Sequence, residues 1–246
     1  MSGGARPKLV VTAAMAHGYC IDFYVAEDED MFHGASAFCE VLSRIIHKVA
    51  EICRQKGKPF PKHLWVQSDN TVAQAKNEEV AMFLAVLVGK HKFHTASLNF
   101  LAVGHTHEDV DQVFGLLLAL VLRRIRFQVP QQLCEAIERG MWSVARGRGE
   151  QLRAIWLTHV RVFHPWLQDL GVCIHNCWQT RYPDRSGQHA LRIEAPHSFT
   201  HKLRMDLLPS EVASLPLASN HGSEFDVFCV VHSVNTRAWT AHLHEL

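Results

Sequence analysis

The order in which apolar periodicities follow one another over the first 150 residues leaves few folds open. Two β-rich runs, Lys8 to Ala16 and Tyr19 to Ala26, flank His17-Gly18 and predict a hairpin. From Ser36 to Arg54 the apolar residues Phe38, Val41, Leu42, Ile45, Ile46, Val49, Ile52 and Cys53 fall at i, i+3, i+4, i+7 spacing, the mark of an amphipathic helix. Ser36 is placed to cap it, and Gly57 and Pro59 to end it. His63 to Ser68 (HLWVQS) reads as a short buried strand. Glu78 to Val88 is apolar nearly all round, which predicts a helix enclosed by the fold. Ala96 to Val103 is the next expected strand and Asp109 to Arg124 the next helix; Pro130 suits the first turn of another, through about Val144. Hairpin, helix, strand, helix, strand, helix is the order of a mixed sheet with helices on its faces.

Beyond Arg148 the periodicity weakens. Trp156, Phe163 and Trp166 suggest a further packed helix or turn, and Arg181 to Gln188 a loop. Glu224 to Val234 (EFDVFCVVHSV) is a strand, expected to pair with Thr236 to His242. The expected division is therefore a core over 1–148 and an α+β extension over 149–246. With 246 residues, 48% hydrophobic and 20% charged, the chain can bury a full core. A net charge of +1 gives the whole molecule no strong field for nucleic acid. Local basic patches remain, at Arg123, Arg124 and Arg126 and at Arg146, Arg148 and Arg153. Seven cysteines, an odd number, and a polar Met1 to Lys8 fit reduced thiols in a nuclear or cytoplasmic protein, not a secreted one. Cys173-Ile-His-Asn-Cys177 has the look of a metal clip but matches no common zinc spacing. The apolar run Val113 to Leu122 is too short to span a membrane, which takes about 20 residues.

The chemistry concentrates at two strand-to-helix junctions. In Phe100 to Phe114 (FLAVGHTHEDVDQVF), an apolar strand ends at Gly104 and is followed by His105, His107, Glu108, Asp109 and Asp111 before an apolar helix begins. Open α/β sheets place their sites at such carboxyl ends. The other junction is Gln67-Ser68-Asp69-Asn70, where a carboxylate backed by rigid sheet is well placed to hold a divalent cation. Lys76 and Asn77 open the next helix, where the dipole favours phosphate. Each acid also has a plainer role open to it. Asp69 could cap a turn, and Glu108, Asp109 and Asp111 could complement a helix N-terminus. Asp111 differs because Val110, Val113 and Phe114 straddle it, which would turn it inward. His105 and His107 alternate along an extended segment, so one of them could face the Asp69 junction.

Gln67-Ser68-Asp69-Asn70, Lys76-Asn77 and the string GHTHEDVDQVF from Gly104 to Phe114 together resemble a family of transposase-derived domains found in algal and other protist genomes. The likeness covers about Lys8 to Arg148, and weakly Pro196 to Phe199 and Asp226 to Val231. It implies the ribonuclease-H-like fold of integrase and transposase cores. There Mg²⁺ or Mn²⁺ ions, bridged by three carboxylates, flank an in-line phosphoryl transfer. By this resemblance Asp69 is the acid after the fourth strand and Asp111 the acid of the late helix. His105 or His107 would orient the attacking water or replace a metal ligand. Asn70, Lys76 and Asn77 would contact the DNA.

The first acid of that fold stands on the opening strand of a three-strand meander. Only a hairpin precedes the first helix here, and Asp22 lies on its second run. The expectation is thus an N-terminally truncated core lacking one carboxylate, which weakens metal binding and impairs or removes catalysis. A different class of function follows from the same gap: a domesticated or relic module that binds DNA or protein without chemistry. A third reading takes His105, His107 and Asp111 as a two-His-one-carboxylate site for zinc or iron. The oligomeric state is left open by the sequence.

Overall fold

The computed structural model describes residues 9–27, 34–68, 77–100, 109–169, 190–194, 214–216 and 226–235. They build one seven-stranded mixed sheet with helices on both faces. The hairpin forms as expected: β1 (Leu9–Ala16) runs antiparallel to β2 (Cys20–Glu27). Gly18 takes φ 76° in the turn, a conformation open to glycine without strain, and its N–H donates to Glu150 Oε1 at 2.9 Å. Helix α1 (Ala35–Gln55) follows, then β3 (His63–Ser68), α2 (Glu78–Gly89), β4 (Thr95–Phe100) and α3 (Asp109–Leu117). Helix α3 continues as a π-helical turn, Leu118–Leu122. Helix α4 (Pro130–Arg148) begins with Pro130 in its first turn and stops at Gly149, whose φ of 70° gives a left-handed cap.

The remaining elements are β5 (Gln151–Leu157), α5 (His164–Asp169), β6 (Ala190–Glu194) and β7 (Asp226–Asn235). The strand order is β5-β2-β1-β7-β3-β4-β6. Strand β7 lies between the hairpin and the β3–β4 pair, antiparallel to β1 and parallel to β3. Strand β5 extends the sheet at one edge, parallel to β2, and β6 at the other, antiparallel to β4. The expected division after residue 148 therefore does not separate two sheets, because β5, β6 and β7 all join the strands before it. The pairing expected between the last strand and Thr236 to His242 lies outside the described residues.

Both faces of β1 and β2 are covered, so β1 is buried along its whole length and reads as one apolar run. Alternate residues supply two cores. Ala14, Ala16, Cys20 and Tyr24 face α1, α2 and α5, with Leu42, Ile45, Phe83 and Leu167 among their neighbours. Val11, Ala13, Met15, Ile21, Phe23 and Val25 face α3 and α4 through Val110, Phe114, Leu133 and Ile137. Phe114 meets the ring of Phe23 edge-on at 6.4 Å. Helix α2 is buried from Val80 to Val88, as its unbroken apolar run requires.

Two local expectations need correction. Ser36 does not cap α1: Gly34 holds that position without a side-chain bond. The Ser36 hydroxyl instead donates to Glu79 on α2 and accepts the backbone N–H of Phe163 at 3.0 Å. A tertiary contact with two partners has displaced the local one. Trp156 is not in a helix or turn; it lies on β5.

Candidate functional site

Register sets the described ends of β3 and β4 side by side. Ser68 and Phe100, the last described residues of β3 and β4, are direct partners on parallel strands. Asp69, Asn70, Lys76, His105 and His107, which follow these ends in sequence, lie outside the described residues, as do Cys173 and Cys177.

Asn77 is described, and it caps α2: its side-chain oxygen accepts the N–H of Val80 at 3.0 Å. Glu78 and Glu79 fill the first turn behind it, so this helix start is complemented by its own carboxylates. Asp111 stands in the first turn of α3, half-buried beside the buried Val110, Val113 and Phe114. Its neighbour Asp109 meets Arg148 Nη2 at 3.4 Å and His17 Nδ1 at 3.7 Å. That contact ties the start of α3 to the β1–β2 turn and the end of α4.

Asp22 is excluded from any site at the junctions. One rung of the sheet runs Arg153, Asp22, Ala14, Val231, Ser68, Phe100. Asp22 is three strands from Ser68, about 14 Å at a strand spacing of about 4.8 Å. Carboxylates sharing a metal pair must reach ions only about 4 Å apart. Asp22 is fully buried and already bound. It accepts from Arg153 Nε at 2.9 Å, from Arg153 Nη2, and from the Tyr24 hydroxyl at 3.0 Å. Burial, and then the adjacent Asp22 charge, push the Tyr24 phenol well above its ordinary range. Arg153 is thus spent within the fold and is not part of a basic patch; Arg148, held by Glu150 Oε2 at 3.0 Å and by Asp109, is likewise committed.

A second charged network joins the ends of α1, α2 and α5. Glu40, only 1% exposed, accepts from Arg44 Nε at 2.5 Å and from Arg161 Nε at 2.6 Å. Arg161 also lies 5.4 Å over the Phe163 ring. Together with the Ser36 bonds, these contacts clip the segment before α5 onto α1 and α2. No local pattern announces the Glu40–Arg161 pair, whose members are 121 residues apart.

Among the described residues no group of three or more His, Cys, Asp or Glu could hold a metal ion. Asp111 alone, one half-buried carboxylate, is not a two-metal site; the other expected donors, Asp69, His105 and His107, fall outside the description. No described helix is long and apolar enough to cross a membrane.

Residues 2–182 match a domain of unknown function (DUF7869). The chain belongs to this family. No curated protein and no solved structure matches it. The DUF7869 match takes in both junctions and the sheet from β1 to β5, while β6 and β7 follow it in sequence.

Proposed function

We propose that this DUF7869 chain is a nucleic-acid-processing domain of the ribonuclease-H-like, transposase type. The observation that carries the reading is the place of β7. The ribonuclease-H-like core needs an opening strand antiparallel to the second strand and parallel to the fourth, between the two. Strand β7 lies between β1 and β3 with those directions. With β7 in that role, the order β7, β1, β2, α1, β3, α2, β4, α3 follows the core's element order, its first strand supplied from late in the chain. In this reading β7 would take the sheet position expected to be missing.

In this reading Asp69 follows the fourth strand and Asp111 begins the late helix. Together they hold Mg²⁺ or Mn²⁺, whose charge would offset that developing on a phosphate under attack. His105 or His107 orients water, and Asn70 and Lys76 meet the phosphate backbone. Calorimetric titration with Mg²⁺ and with Mn²⁺ tests it, on the wild type and on Asp69→Ala and Asp111→Ala. Binding that disappears in each variant is expected, with metal-dependent cleavage of DNA ends by the wild type alone. Equal binding in all three proteins would refute the assignment.

One observation favours a second reading, a module that binds nucleic acid without cutting it. Val231 is the β7 partner of Ser68, and His232-Ser233 follow it. No carboxylate stands on that stretch, where the first acid belongs; Asp226 lies five residues below, opposite His63. Metal-independent DNA binding without cleavage is the outcome that selects this reading.

A further inference from the structure

The turn after α3 and the outer face of α4 carry a basic surface. Between Leu118 and Arg148 there are six arginines against two glutamates, in a chain of net charge +1. Arg44, Arg148, Arg153 and Arg161 are bound to carboxylates. Arg123, Arg124, Arg126, Arg139 and Arg146 are all exposed, and none is ion-paired among the described residues. Two glutamates do not balance these arginines in number, and Glu138 also accepts the Ala154 N–H at 2.9 Å, midway along β5.

An aromatic ring stands within this charge. Trp142 is 56% exposed, the most exposed large apolar side chain described. The Arg146 guanidinium lies 4.9 Å from the centre of its ring. Arg139, Trp142 and Arg146 are spaced i, i+3, i+7 and share one face of α4. The face is held in place by close packing on the opposite side. Gly140 lies against the π turn, where an added Cβ would come within 2.4 Å of Val121 Cγ2. That approach fixes the arginine-rich turn at 123–126 relative to α4.

A large exposed ring inside unpaired guanidinium charge suits one class of partner. Bases have faces that stack on an indole, and the phosphates between them take arginine. In a duplex the base faces are already stacked, so Trp142 has use only for an unpaired strand. We propose that the outer face of α4, with Arg139, Trp142 and Arg146 at its centre and Arg123, Arg124 and Arg126 at its margin, binds single-stranded nucleic acid. This deepens the functional reading above by naming the form of substrate. It is separable from it, because binding here needs neither metal nor the two junctions.

The test is fluorescence anisotropy with a labelled thirty-nucleotide oligo-dT, in EDTA, over a series of salt concentrations. A duplex of the same length is run beside it. The wild type should bind the single strand more tightly than the duplex. Trp142→Ala should weaken single-strand binding about 5- to 150-fold, the range for loss of one stacked base. Arg139→Gln/Arg146→Gln should lower the slope of log K against log salt by about 1.4, at about 0.7 for each lost phosphate contact. Both variants alter exposed side chains, and unchanged circular dichroism and melting establish that the fold is kept. Absence of binding by the folded wild type overturns the proposal. So does Trp142→Ala binding as tightly as wild type, or a duplex bound as tightly as the single strand. Loss of cleavage or of metal binding with these effects intact would bear on the junctions alone.

Discussion

Replacing Arg153 with Met isolates the energetics of the buried pair on β2 and β5. Methionine keeps most of the aliphatic stem, so the packing loss is small. It removes both guanidinium hydrogen bonds to Asp22, including the 2.9 Å bond from Nε. The carboxylate, fully buried, then keeps, among the described residues, the Tyr24 hydroxyl at 3.0 Å. Because Arg153 is 30% exposed and Asp22 0%, solvent screens the pair only from one side. Breaking a buried pair from one end costs about 3–5 kcal/mol, since an uncompensated charge remains. A domain of this size melts about 2–4 °C lower for each kcal/mol lost, so Tm should fall by about 6–20 °C. Thermal and urea unfolding of four proteins, wild type, Arg153→Met, Asp22→Asn and the double variant, give the coupling directly. The double variant should be more stable than Arg153→Met by more than about 1 kcal/mol, because its buried charge is gone. Arg153→Met costing under about 1 kcal/mol, or two single costs that simply add, would refute the argument.

Three further outcomes follow. Gly140→Ala should destabilise the wild type by up to about 2 kcal/mol in urea unfolding, because overpacking of about 1–3 kcal/mol against Val121 outweighs the helix-propensity gain of about 1 kcal/mol; in a Val121→Ala background the same substitution should stabilise. Burial pushes the Cys134 thiol up to about 11, the Cys229 thiol to about 12 and those of Cys20 and Cys39 well up. These four should resist iodoacetamide at pH 8 until urea is added, read by peptide mass mapping. Desolvation, then Lys62, His63 and His91, hold His94 below the ordinary histidine value. A depressed histidine favours the folded state above the unfolded pKa of about 6.5, and that contribution fades as pH falls through the lower folded value. The wild type should therefore lose more Tm than His94→Gln between pH 7 and pH 5, a difference absent if His94 titrates alike in both states.

The sequence was legible where structure is local. Hairpin, helices and short strands up to Arg148 follow from the apolar pattern within each segment, one-sided in α1 and unbroken in β1 and α2, where the surroundings are apolar throughout. Strand β7 was recognisable as a strand, EFDVFCVVHSV being hard to fold otherwise, but its place was not. Its partners β1 and β3 lie far back in the chain, and nothing in an apolar run states which neighbours it will take. Strand β5 was missed because Arg153 interrupts it, and only the buried Asp22 opposite explains a charge there. Ser36 had the correct residue type and position for a cap; two tertiary hydrogen bonds outweighed that local preference. The stripe of Arg139, Trp142 and Arg146 was available from helical spacing, but only exposure distinguishes a surface tryptophan from a core one. Of the candidate site, the sequence placed Asp111 in the first turn of a helix, where it lies half-buried, while the pairing of β3 with β4 came only from the sheet register.

The position of β7 also sets an order of events during synthesis. The sheet divides around it into β5-β2-β1 on one side and β3-β4-β6 on the other. A nascent chain that has emerged only through Asp169 can pair β1 with β2 and β3 with β4, yet the strand that joins the two groups has not been made. Until Asp226 to Asn235 arrives, β1 and β3 each present an unpaired edge along an apolar face, the kind of edge that recruits foreign strands. The cost of closing such distant pairings falls on the last step of folding. The span from Asp169 to Asp226 therefore has to be translated while half-sheets wait open, and a chaperone that shields strand edges would act in that interval.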